Sequence, residues 1–414
     1  MIKRTIEKQL AELLSYYPIV VLTGPRQSGK TTLLRSMFPQ REYFNLENPS
    51  TLDAVKADPS SFLELHGSNV IIDEAQRFPE LFSFIQASVD EQREKGRFIL
   101  SGSQNILLSD AISQTLAGRA AYAELLPLTL QELSAAACLD EQASDRQGVA
   151  ELFDNIFEGF YPGQRSEHIP PEVFFDQYLA TYVERDVRTM KNIGNLAAFR
   201  GFVRILAGRI GQLLDYASLA SDAGISPGTA KSWLSILEAS YLIVILRPLH
   251  NNFGKRYIKS PKVYFLDTGL ACRLLGIRHA EEIEGHYLKG NLFENFVIAE
   301  IHKERASQKL DVEMFFYRDA KKHEVDLILR DSSGESAVEI KSASGFSSSM
   351  LKGLDYWDGL LAEHQARDMA PVPQKAHRRF IVYAGKPETI GEIHLLPWTD
   401  LDKLLLIEKD KPGR

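Results

Sequence analysis

Only two cysteines, Cys138 and Cys272, occur among 414 residues. So sparse a pair supports neither a disulfide framework nor a thiolate zinc site, and it fits a reducing compartment. No stretch approaches 18 uncharged apolar residues, and the first fifteen mix charge with leucine where a signal peptide would be apolar. The expected location is therefore the cytoplasm, with no membrane partner. Nor is there a large excess of one charge. The 48 Lys and Arg against 55 Asp and Glu give −7, which excludes a polybasic or histone-like protein. What is present is 44% apolar and 25% charged residues, enough over this length for two or three domains with their own cores.

The apolar run PIVVL (18–22) predicts a buried strand, and it leads into TGPRQSGKTTLL, which satisfies G-x-x-x-x-G-K-[ST]. The candidate phosphate cradle is Gly24, Pro25, Arg26, Gln27, Ser28, Gly29, Lys30, Thr31 and Thr32. Its glycines let backbone N–H groups wrap phosphates, Lys30 reaches the β/γ oxygens, Thr31 suits Mg²⁺, and the next helix points its positive end at the anion. Further on, NVIIDEAQ ends an apolar strand in Asp73 and Glu74, the pattern of a Walker B strand. Asp73 suits water-mediated Mg²⁺ binding, and Glu74 suits activation of the attacking water. A strand over 41–47 leaves room for an insertion between the P-loop and Walker B strands of the sheet. A helix over about 79–95 leads to RFILSGSQN, where Ser101 or Ser103 is the candidate γ-phosphate sensor, the catalytic choice being Ser103. The alternative for these serines is helix capping.

Over residues 1–135, GPRQSGKTT, IIDEAQ and LAGR…PLTLQEL resemble a bacterial and archaeal group of AAA+ type ATPases. The resemblance implies ATP and Mg²⁺ as ligands and gives Arg119 a γ-phosphate contact, within its own subunit or in a neighbouring copy of a homo-oligomer. Arg26 is a second candidate of that kind. The alternative for Arg119 is a surface salt bridge.

Residues 136–205 predict helices, including one that carries Tyr182, Arg185 and Asp186, and are expected to hold the small lid of the ATPase module. From 213, LLDYASLASDAGISPGTAKSWLSILEAS predicts a helix-turn-helix, and LIVIL followed by a polar tip and KVYF predicts a wing. Residues 200–276 carry ten basic and four acidic side chains, a local +6 that leaves −13 on the rest. Such a patch suits phosphate-backbone binding, with Lys231, Lys255, Arg256 and Lys259 as candidate DNA contacts. The alternative is docking of a protein partner.

In the tail, a helix over 288–305 precedes strand, strand, turn and strand, and a further helix and strand follow. Asp326 with Glu339-Ile340-Lys341 reproduces the PD-(D/E)xK nuclease pattern, apart from Val325 where proline stands in the motif. Asp326 and Glu339 suit Mg²⁺ and Lys341 suits orientation of water against a phosphodiester. By the same resemblance Glu294 is an upstream acidic ligand. The alternative is an ion-pair cluster that does not cut.

The expected fold class is α/β. An AAA+ P-loop core with a parallel sheet and an inserted strand (1–135) precedes a helical lid (136–205), a winged helix (206–280) and a restriction-endonuclease-like α/β domain (281–414). The expected function is a Mg²⁺-dependent ATPase that associates with DNA. A nucleotide switch that docks a protein partner is the other reading.

Overall fold

A computed structural model describes residues 2–103, 115–137, 148–183, 195–249, 258–367 and 376–405. Cys138, Arg185, Asp186, Lys255 and Arg256 lie outside these residues.

The N-terminal third is a five-stranded, wholly parallel sheet. Its strands are β1 (Ile19–Thr23), β2 (Glu42–Asn45), β3 (Val70–Asp73), β4 (Phe98–Gly102) and β5 (Ala120–Glu124), in spatial order β2-β3-β4-β1-β5. Helices α1 (Glu7–Tyr16), α2 (Lys30–Met37), α3 (Pro49–Ala57), α4 (Pro59–His66) and α5 (Leu81–Glu91) cover it. Strands buried on both faces read as continuous apolar runs, and alternation sends Ile19 and Val21 to one core and Val20 and Leu22 to the other. The strand between the P-loop strand and the Walker B strand is β4. The 41–47 segment forms β2 instead, outside β3 at the edge of the sheet, where its side chains stay partly exposed. One fully buried run, FILSG, takes the central place over the more polar EYFN.

The middle is helical: α6 (Leu130–Ala137), α7 (Val149–Glu158), α8 (Pro162–Ser166), α9 (Pro171–Tyr178) and α10 (Leu196–Ala207). Then α11 (Tyr216–Asp222) and α12 (Pro227–Ala239) meet across a turn in which Gly224 takes a positive φ of 65°. Asp215 caps α11 and Ser226 caps α12, with Pro227 at the first helical position.

Strands β6 (Ile243–Pro248) and β7 (Lys262–Phe265) pair antiparallel, and β6 also pairs with β8 (Glu313–Arg318). One eight-stranded sheet therefore joins residues on both sides of position 280. It adds β9 (Glu324–Arg330), β10 (Gly334–Lys341), β11 (Ala376–Tyr383), β12 (Glu388–Ile390) and β13 (Ile393–Pro397), in the order β12-β13-β11-β10-β9-β8-β6-β7. The β9–β10 hairpin turns at Asp331, whose carboxylate accepts from the N–H groups of Ser333 and Gly334 at 2.7 and 2.9 Å. Helices α13 (Thr268–Leu275), α14 (Glu282–Gly285), α15 (Lys289–Gln308) and α16 (Lys352–Arg367) pack around it. Among the described residues, no helix is long and apolar enough to cross a membrane.

Candidate functional site

At the carboxyl end of β1 the chain must turn sharply and bring backbone against backbone. A β-carbon on Gly24 would stand 2.1 Å from the Leu125 carbonyl oxygen, and Gly29 opens α2 with φ 91°. Lys30 is buried and donates from Nζ to the carbonyl oxygens of Gly24 and Pro25 at 2.9 and 2.7 Å. The loop's far side is pinned by Arg4, which sequence reasoning passed over. Its guanidinium donates to Glu132 and to the carbonyls of Ser28 and Leu126 at 2.9, 2.9 and 2.7 Å.

Thr31 Oγ1 donates to Asp73 at 2.6 Å, and Asp73 also accepts from Ser101 and, at 2.6 Å, from Tyr43. Burial favours the neutral acid, but those three hydroxyls and the Lys30 charge hold the Asp73 carboxyl below its ordinary range. Glu74 behaves the opposite way. Burial, assisted by the Asp73 charge and opposed by Lys30 and Arg26, raises its proton affinity. Glu74 takes a left-handed φ of 54°, accepts from Gln76 at 2.6 Å, and meets Ser103 Oγ at 3.5 Å. The two serines thus divide: Ser101 holds Asp73 and Ser103 stands at Glu74. Tyr43 was missed because the 41–47 strand was expected between the P-loop and Walker B strands, and the pairing of Asn45 with Asp73 that sets Tyr43 beside the carboxylate is not written in EYFN. Thr31 and Asp73 form a hard-oxygen pair that fits Mg²⁺.

Arg119 lies elsewhere. Its guanidinium makes a two-pronged contact with Asp90 on α5, at 2.6 and 2.8 Å.

In the second sheet the predicted residues do converge. Lys341 Nζ contacts Asp326 at 2.7 Å and Glu339 at 2.6 Å, and the Ile340 N–H donates to Asp326 at 2.9 Å. Burial and the Asp326 charge push the Glu339 carboxyl up to about 8. Glu294, from α15, is tied to β9, the strand of Asp326, through a residue not chosen from the sequence. Lys262 Nζ contacts Glu294 at 2.8 Å and Glu324 at 2.6 Å, while the Tyr264 hydroxyl donates to Glu294 at 2.6 Å. Lys262 had been counted in the basic patch, but it is 2% exposed. Arg209 and Arg273, also counted there, pair with Asp222 and Asp176. Lys231 and Lys259 are exposed.

Two polar joints tie the halves together. The Tyr241 hydroxyl, at the end of α12, meets Thr23 Oγ1 at 2.8 Å, one residue before the P-loop, and donates to Glu124 at 3.3 Å. On α15, buried Lys303 donates to the Leu128 carbonyl at 2.7 Å and pairs with Glu300 at 2.7 Å.

An AAA domain profile matches residues 16–134, the stretch that holds this nucleotide geometry. Domains of unknown function (DUF8612 and DUF4143) match 149–281 and 289–401. The uncharacterized protein Rv2008c of Mycobacterium tuberculosis is 33% identical over 345 residues, covering 83% of this chain and 74% of its own. The chain belongs to the same family as Rv2008c, and its residues 16–134 match the AAA domain. This AAA-type, P-loop ATPase chain also resembles the uncharacterized protein MJ1544 of Methanocaldococcus jannaschii, 24% identical over 336 residues, covering 75% of this chain and 72% of the relative. Among solved structures it is similar to the Walker-type ATPase PABY2304 of Pyrococcus abyssi, with 17% identity and a TM-score of 0.47, covering 66% of this chain and 96% of that one.

Proposed function

We propose that this chain is a cytoplasmic, Mg²⁺-dependent ATP hydrolase that handles DNA. The observation that carries the reading is the junction of Thr31, Ser101 and Tyr43 on Asp73, with Glu74 beside it. Lys30, held on the loop carbonyls, is placed to move onto the β- and γ-phosphates. Thr31 and Asp73 are the residues that would hold Mg²⁺, which when bound neutralises phosphate charge. Glu74, with its raised proton affinity, takes the proton of the attacking water.

Glu74→Gln should keep nucleotide affinity within about threefold and lower turnover by at least about 100-fold, while Lys30→Ala should lose binding. Equal turnover in Glu74→Gln and parent would sink the assignment. Arg119, held at the surface by Asp90, suits a contact with a neighbouring copy. Turnover per subunit should then fall on dilution, and a rate that stays flat rejects the contact in trans.

The DNA reading is supported by the capped pair α11–α12 followed by β6 and β7, a winged-helix order, with Lys231 and Lys259 exposed. DNA affinity should fall steeply with salt, and Lys231→Ala with Lys259→Ala should reduce the log–log slope by about 1 to 2. Binding that ignores salt would favour the protein-docking reading. The order helix, three strands, helix, strand around Asp326, Glu339 and Lys341 supports a restriction-endonuclease-like tail. The divisions expected at 135 and 205 fit this reading, whereas one sheet runs across the division expected at 280.

A further inference from the structure

Nucleases of the pattern that the tail resembles use a divalent metal, so the donor set here must be tested against one. Mg²⁺ demands near-octahedral oxygen ligation at about 2.1 Å, and Mn²⁺ likewise suits carboxylate, carbonyl and water ligands. The four carboxylates near the hairpin do not offer that. Glu294 and Glu324 close on the Lys262 ammonium, Asp326 and Glu339 close on the Lys341 ammonium, and Glu324 also accepts from Arg318 at 2.6 Å. Among the described residues, no group of three or more His, Cys, Asp or Glu side chains is disposed to hold a metal ion.

Lys341 belongs to the nuclease pattern and is 36% exposed along its side chain, so it has room to move. Lys262 does not have that room. It begins β7, whose four residues are all buried, and its side chain is 2% exposed. The neighbouring backbone is fixed: the Gly211 and Leu214 N–H groups donate to the Val263 and Pro261 carbonyls at 2.9 and 2.8 Å. The Phe316 ring lies 5.4 Å from the ammonium. On the opposite side the first turn of α16 closes over Glu339. A β-carbon on Gly353 would lie 2.0 Å from Glu339 Oε1 and 2.4 Å from the Glu324 carbonyl oxygen, so the backbone itself is the cover.

We infer that the Glu294–Glu324–Asp326–Glu339 cluster is an ionic lock whose fixed cation is Lys262, closed on Glu294 and Glu324 beside the Lys341-bound pair Asp326 and Glu339, and that it keeps divalent metals out. The lock joins β7, α15, β9 and β10 and replaces a metal with an ammonium that cannot act as a Lewis acid or deliver a metal-bound hydroxide. The inference rests on the nuclease-like reading of the tail and is independent of the ATPase and DNA readings.

Titration of the full chain with Mn²⁺ in the absence of nucleotide, followed by electron paramagnetic resonance of the free ion, tests it. The parent and Glu339→Gln should give superimposable curves, with no difference attributable to a site tighter than about 1 mM. A parent site that vanishes in Glu339→Gln overturns the lock and leaves the nuclease-like reading standing. Lys262→Met should tighten Mn²⁺ binding about tenfold or more, and adding Glu294→Gln should reverse the gain. A folded Lys262→Met chain that gains nothing overturns both the lock and the nuclease-like reading. The first comparison decides alone if loss of the buried ammonium prevents folding.

Discussion

Glu304 sits on α15 with 1% exposure, accepting from Gln308 at 2.8 Å. Burial, reinforced by the nearby Glu300 charge, lifts its carboxyl from the ordinary 4.5 to about 7. The sign of the linkage follows from proton counts. Between 4.5 and 7 the folded chain holds the proton more tightly than the unfolded chain. This residue therefore favours folding at low pH, and that contribution is lost as pH rises through about 7. Glu304→Gln keeps the acceptor for Gln308 and removes the charge. It should match the parent near pH 4 and exceed it by up to about 3 kcal/mol at pH 8, as read by denaturant unfolding at both pH values. A stability difference that does not change with pH would refute the assignment. Asp73 shows the reverse shift for a local reason, since three hydroxyls and the Lys30 charge outweigh its burial, whereas the Glu300 charge adds to the burial of Glu304.

At the scale of elements, β7 ends the eight-stranded sheet and depends on side chains for part of its hydrogen bonding. Asn295, wholly buried on α15, accepts from the Phe265 N–H at 2.7 Å and donates to the Phe265 carbonyl at 2.8 Å, taking the place of a neighbouring strand. Asn295→Ala leaves both backbone groups buried and unmet. It should cost about 3 kcal/mol, seen as lowered thermal stability with early hydrogen exchange at Phe265. Protection of Phe265 equal to the parent's would reject this role. The sequence exposed the regular elements well where each carries its own period or turn: the apolar run of β1, the helical spacing broken at GISP, the DSSGES turn. It was also sufficient for residues that follow one another along a motif, such as Lys30 and Thr31 in the P-loop. It failed for partners brought together by pairing order. Nothing in EYFN says that β2 lies outside β3 with Tyr43 on Asp73, and the inward-pointing lysine of SPKVYF was passed over. A lysine at the head of an otherwise apolar strand was the available signal, and whole-segment charge counting hid it.

Across the whole molecule, α15 is the common wall of the ATPase core, the middle helices and the second sheet. Lys303 reaches the Leu128 carbonyl, lies over the Phe160 ring at 3.8 Å, and pairs with Glu300, whose carboxylate also accepts from the Leu130 N–H. Lys303→Met strands a buried carboxylate and should cost about 3 to 5 kcal/mol. Because the contact joins regions distant in sequence, calorimetry should show the single transition of the parent split into two, and a lowered but still single transition would argue against α15 as the joint. The β6–β8 pairing has a consequence for descent. An exchange of genes that delivered residues 281–414 by themselves would uncover the edge of β8, an invitation to aggregate. It would also separate Glu294 and Glu324 from Lys262. A unit that keeps this sheet whole therefore has to begin upstream of Ile243.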